Sequence, residues 1–112
     1  MSKPLLQFNP ATPFRQNMAF AVGEDVLVTV SYTPIASIAG GTFALTILQG
    51  GTTILTTTGS ITDSTNGVFT FTIARATSLT LPTGVYTFLV ERTDSGNDAL
   101  GAAGQCNILP GV

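Results

Sequence analysis

Residues 26–32 read VLVTVSY, and this stretch decides the fold class. Val26, Val28, Val30 and Tyr32 take every second position, with Leu27, Thr29, Ser31 and then Thr33 between them. Successive side chains of a strand point to opposite faces, so the run describes a strand with one apolar face and one largely hydroxyl-bearing face. Pro34 ends it, because proline has no N–H to offer a neighbouring strand.

The same period of two continues on both sides. Upstream, Met18, Phe20 and Val22 alternate with Asn17, Ala19 and Ala21, and Gly23-Glu24-Asp25 reads as a turn. Downstream, after a loop over 35–41, Phe43, Leu45 and Ile47 share a face, Gly50-Gly51 marks a hairpin, and TTILTTT at 52–58 is the returning strand. The stretch GSITDSTNG at 59–67 is rich in turn formers, and Phe69, Phe71 and Ile73 then define another inward face. RATSLTLP at 75–82 reads as a connector whose Leu79 and Leu81 tuck under the end of the domain. Tyr86, Phe88 and Val90 face inward from the next strand. Asp94, Ser95, Gly96, Asn97 and Asp98 make a polar tip, and a last strand over 99–109 carries Cys106 and Ile108.

About seven short strands with turn signals between them, and no long helical period, predict an all-β protein: an immunoglobulin-like β-sandwich of antiparallel strands. A small barrel is the structural alternative. Residues 1–14 stand apart from that pattern. Pro4, Pro10 and Pro13 predict an extended N-terminal arm, followed by a single domain over 15–112. Leu5, Leu6 and Phe8 of the arm are apolar and must be buried, either as a first edge strand on their own domain or against a neighbouring subunit. They are the candidate partner-contact residues.

Charged residues make up only 9% of the chain, against roughly 25% in an average soluble domain. Threonine supplies the missing polarity: it is β-branched, favours strands and still presents a hydroxyl to water. A surface so poor in charge suits a protein that works inside an assembly. The net charge is −2, and the four basic residues, Lys3, Arg15, Arg75 and Arg92, are scattered. No basic stripe is present to neutralise phosphates, which argues against nucleic acid and against an anionic membrane as partners. The single cysteine, Cys106, has no disulfide partner within the chain, and MSKPLLQFNP lacks the apolar core of a signal peptide. The expectation is synthesis in a reducing cytoplasm.

The inventory for catalysis is thin. There is no histidine, which removes the usual general base, both common nucleophile–histidine pairs and the commonest metal ligand. Cys106 sits within a predicted strand and reads as buried and structural. Gly40-Gly41 and Gly50-Gly51 precede strands, so they are turn glycines and not phosphate cradles. Tryptophan is absent, and Tyr32 and Tyr86 lie in strands where burial is expected, which weakens sugar binding as a function. Asp94, Asn97 and Asp98 offer the oxygen ligands of a calcium loop, or equally the polar tip of a solvated turn. The expectation is a protein that is not an enzyme, with no cofactor and no metal.

Two segments carry a more specific pattern. GEDVLVTVSYTPIASIAGGTFALTIL runs Gly-Glu-Asp, strand, proline, loop, then Ala-Gly-Gly-Thr into a strand. ITDSTNGVFTFTIARATSLTLPTGVYTFLVERTDSG runs turn, strand, connector, Leu-Pro-x-Gly-x-Tyr, strand, then an Asp-Ser-Gly tip. This order resembles the immunoglobulin-like N-terminal domain of tailed-phage baseplate upper proteins and similar small domains of other phage structural proteins. The matching residues are Gly23, Asp25, Gly40, Thr42, Asp63, Gly67, Leu81, Pro82, Gly84, Tyr86, Glu91 and Asp94. The resemblance implies a virion structural protein, made in the host cytoplasm. Such a protein acts by assembly with other virion structural proteins and with copies of itself, as a decoration, an adaptor or a baseplate or tail component. A small module recognising host-surface carbohydrate, assisted by calcium at the 94–98 tip, is the alternative function.

Overall fold

The computed structural model describes residues 3–94 and 98–111. Nine strands and one short helix follow in the order β1 (Leu5–Phe8), β2 (Phe14–Ala21), β3 (Val26–Tyr32), β4 (Phe43–Gln49), β5 (Thr52–Thr58), β6 (Ser60–Asp63), β7 (Val68–Ile73), α1 (Arg75–Ser78), β8 (Gly84–Arg92) and β9 (Ala99–Leu109). They form two sheets, one of order β1-β3-β7-β6 and one of order β2-β9-β8-β4-β5, packed face to face as a β-sandwich. The all-β sandwich expected from the alternation is therefore what the chain adopts.

The core lies where the period of two places it. Val26, Val28, Val30 and Tyr32 of β3 face Phe43, Leu45 and Ile47 of β4 and Tyr86, Phe88 and Val90 of β8 across the interior, and all are buried. Aromatic rings dominate one end: Phe43 and Phe69 stack at 3.8 Å between centroids, with Phe71 edge-on to Phe69. Tyr86 donates its hydroxyl to the carbonyl oxygen of Pro82 at 2.9 Å, the tie known as a tyrosine corner in immunoglobulin-like domains. This bond is the structural content of the Leu-Pro-x-Gly-x-Tyr signature. Leu81 tucks under the sandwich end as expected, whereas Leu79 is more than half exposed.

Several features depart from the expected seven antiparallel strands. Two of the pairings are parallel: β1 with β3 and β2 with β9. Side-chain alternation has the same period in both orientations, so it carries no signal of strand direction. Ser60–Asp63, expected as part of a turn, is a fourth strand of its sheet, paired to β7 with a bulge between Ile61 and Asp63. The turn proper starts only at Ser64. Gly59 is where the chain leaves one sheet for the other. A Cβ there would press on the Phe71 ring at 3.0 Å and on Phe43 at 3.2 Å, so the crossover runs tight against the core and a side chain would make the rings give way. The connector after β7 contains one helical turn, α1, too short to show a helical period in sequence.

Candidate interaction surface

The three arm residues separate on folding. Leu6 and Phe8 are 3% and 0% exposed, in the core of their own domain, while Leu5 is 77% exposed. Of the two destinations open from sequence, the structure takes the first: residues 5–8 form an edge strand of the domain. The boundary expected after residue 14 is corrected accordingly, since β1 belongs to the sandwich and β2 already begins at Phe14. Leu6 and Phe8 are thus not available to a partner, and Leu5 is the only one of the three that faces outward.

The reason lies in what receives Phe8. Its ring stacks on Tyr32 at 4.8 Å and meets Phe43 and Phe69 edge-on at 6.0 and 5.8 Å. Gly101 makes the seat: a Cβ at that position would collide with the Phe8 ring. Backbone bonds close the arm on both sides, from the Thr33 amide to the Phe8 carbonyl at 2.9 Å and from the Asn9 amide to the Gly101 carbonyl at 3.0 Å. The first reaches the β3 sheet and the second the β9 sheet, so the segment clips the two sheets together.

Several titratable groups serve the fold. Asp94 accepts a hydrogen bond from the Arg92 guanidinium at 2.7 Å and from the Thr42 amide at 3.2 Å, and the Arg92 bond holds its carboxyl down at about 2. Arg92 also donates to the Tyr32 hydroxyl at 3.3 Å and lies 5.6 Å from the centre of the Phe43 ring. The first carboxylate of the drawn calcium loop is thus committed to anchoring the tip. Ser95, Gly96 and Asn97 of that loop lie outside the described residues, and Asp98 is exposed. Asp63 accepts from the Asn66 amide and side chain at 3.1 and 2.8 Å, which lowers its pKa and builds the turn expected there. Asp25 accepts from the Arg75 amide at 2.8 Å. Cys106 is fully buried, and burial pushes its thiol up to about 12, far from the thiolate that nucleophilic chemistry needs. Tyr32 and Tyr86 are buried as expected. Among the described residues, no three or more of His, Cys, Asp and Glu converge as a metal ion would require.

What remains for interaction is broad surface. The outward side of the five-stranded sheet reads across the strands in register. Asn17, Gln105 and Thr87 lie beside Leu48, and Arg15, Ala103 and Leu89 beside Thr46. The next row sets Leu100 beside Glu91 and Ala44. Arg15, Asn17, Gln105, Thr87, Leu89 and Leu100 rim a shallow depression whose floor is Ala103 and Gly104. Gly104 is required there, because a Cβ would run into the Gln16 carbonyl across the parallel β2–β9 pair. Sequence reasoning did not single out this surface. Its residues are small, polar and dispersed along the chain, and only the strand order assembles them.

No protein-family model and no curated protein matches the sequence. Solved structures do match, 23 chains in all. The N-terminal domain of phage TP901-1 ORF48 superposes with a TM-score of 0.61 at 8% identity, covering 97% of this chain and 99% of that one. A cysteine protease inhibitor, EhICP2 from Entamoeba histolytica, covers 95% of this chain and 96% of its own at 11% identity, but with a TM-score of 0.41 it supports no inference. At such identities the likeness to the phage domain is one of fold.

Proposed function

We propose that this chain is a non-enzymatic structural component of a bacteriophage particle, acting through protein–protein assembly with other virion structural proteins. The observation that carries the reading is the near-complete, mutual coverage of this chain and a phage domain in one fold. Two further features agree with it. The ionisable groups Asp25, Asp63, Arg92 and Asp94 are bonded into turns and loop anchors. The broad outer surface of the five-stranded sheet is nearly free of charge, as suits a protein held in static contacts. The same reading assigns the chain to the virion, as a decoration, an adaptor or a baseplate or tail component.

The test is immunogold labelling of intact particles from a culture that makes the protein, with mass spectrometry of the purified particles alongside. The expected result is the chain in stoichiometric amount in purified particles, with label at one morphological location. Particles free of the chain by mass spectrometry, with the protein recovered only from the soluble fraction, would remove the reading.

A further inference from the structure

We propose that the outer face of the five-stranded sheet is the contact between two copies of this chain, related by a two-fold axis that sets Arg15 of each copy against Glu91 of the other. The inference goes beyond the virion reading and stands whether or not that reading does, since it concerns the purified chain in solution.

The charges make the case. Outward side chains lie in four rows, two of which cross all of β2, β9, β8, β4 and β5, and only two of those residues are ionisable: Arg15 on β2 and Glu91 on β8. They have opposite sign. The one salt bridge among the described residues is Arg92–Asp94, so Arg15 and Glu91 do not pair within the chain. Register explains why. Arg15 aligns with Ala103 and Leu89, whereas Glu91 aligns with Leu100 one outward row further on. Two strands and one row separate their Cα atoms by about 12 Å on standard sheet spacings, so the two are not cross-strand neighbours.

An isologous contact repeats every pair twice, because residue i meets j and j meets i. For two faces packed together, the axis lies in the interface. The axis that exchanges the Arg15 and Glu91 positions is the perpendicular bisector of the line between them. It crosses β9 between Ala103 and Leu100 and passes beside Leu89. Those three residues then sit at the centre of the contact and the two ion pairs flank it, the arrangement of an apolar centre within a polar rim. The depression floored by Ala103 and Gly104 lies beside this centre and has room for a partner's leucine.

The size is sufficient. The outward positions of these rows, each on about 4.8 by 6.8 Å of sheet, give roughly 550 Å² per copy, or roughly 1,100 Å² for the pair, just above the roughly 1,000 Å² that a specific interface should clear. On the outer face of the four-stranded sheet the central β3–β7 pair presents Leu27, Thr29, Ser31, Thr70 and Thr72, none of them ionisable.

Analytical ultracentrifugation of the whole chain, with the charge-reversal variants Arg15→Glu and Glu91→Arg, tests the proposal. The wild-type chain is expected to dimerise below about 1 mM, with affinity falling severalfold as salt rises from about 0.05 to 0.5 M. Each reversal alone sets like charges together at two places and is expected to weaken dimerisation about a hundredfold. An equimolar mixture of the two variants regains both attractive pairs, as a heterodimer within about threefold of the wild-type affinity. That rescue also shows that both variants fold. A wild-type chain that stays monomeric, a dimer whose affinity ignores salt and both reversals, or reversals that the mixture does not rescue would each overturn the proposal. The first of these leaves the face to a different protein.

Discussion

The hydroxyl of Ser78 stands 2.7 Å from the carbonyl oxygen of Glu24 and donates to it, while accepting the Gly23 amide at 3.0 Å. The Arg75 carbonyl lies 3.1 Å from the same hydroxyl. Ser78 is the only fully buried polar side chain among the described residues, and it ties α1 to the turn that joins β2 to β3. Replacing it with alanine removes the hydroxyl that bonds both the Gly23 amide and the Glu24 carbonyl. Ser78→Ala is therefore expected to lower unfolding free energy by about 1–3 kcal/mol, read as a shift in urea midpoint at unchanged slope. A variant as stable as wild type would mean that water reaches both groups and that the hydroxyl is dispensable.

How much of this was legible beforehand follows from what burial imprints on a sequence. Val26 to Tyr32 and Tyr86 to Val90 announce themselves because one face of each strand is buried and the other is not. Ser60 to Asp63 do not, because three of the four are exposed and none is fully buried, so no alternation is imposed. Phe8 could be read as buried, but not in what. Its seat depends on the absence of a side chain at Gly101, on the far side of the sequence. Ser78 looks like any connector serine until the β2–β3 turn is beside it. The same holds for Arg15 and Glu91, which share a face only through the β2-β9-β8 strand order.

Phe8 distinguishes an arm that merely rests on the domain from one that completes it. Its ring fills the space between Tyr32, Phe43 and Phe69. Phe8→Ala is expected to cost about 3–5 kcal/mol, as for other fully buried aromatic residues. Leu5→Ala, on the exposed face of the same strand, should change stability by no more than about 0.5 kcal/mol. Deleting residues 1–10 should abolish the cooperative transition or lower its midpoint beyond the Phe8→Ala effect. Equal, small effects of Phe8→Ala and Leu5→Ala would show that β1 contributes little to the folded state.

Acid should weaken the fold in a window set by Asp94. Its carboxyl is held at about 2, below the ordinary 3.8, chiefly by the Arg92 bond, and Asp63 is lowered as well by Asn66. A depressed folded-state pKa means that the unfolded chain takes up protons first. The stabilisation is thus complete above the ordinary value and is lost as pH falls from about 4 towards about 2. Urea midpoints measured across that range should decline with falling pH, and Asp94→Asn should flatten part of the decline while lowering stability at pH 7. Parallel profiles for wild type and Asp94→Asn would show that the Arg92–Asp94 bond is no stronger in the fold than in the unfolded chain.

Cys106 offers a reading of how the sandwich opens. It lies on β9, between β2 and β8, opposite Met18 on one side and Tyr86 on the other. Its side chain is fully buried, and its thiol is pushed up to about 12 by that burial. Only the thiolate attacks alkylating reagents, so at pH 8 the folded chain should label far more slowly than a free thiol, and at the free rate in denaturing urea. Because two neighbouring strands must part before the sulfur meets water, the native labelling rate should follow global stability. Ser78→Ala and Phe8→Ala should then accelerate it, the logarithm of the rate rising in proportion to their shifts in urea midpoint. If labelling is instead fast and blind to those substitutions, β2 detaches from β9 on its own, and the parallel edge pair is a locally opening element of the domain.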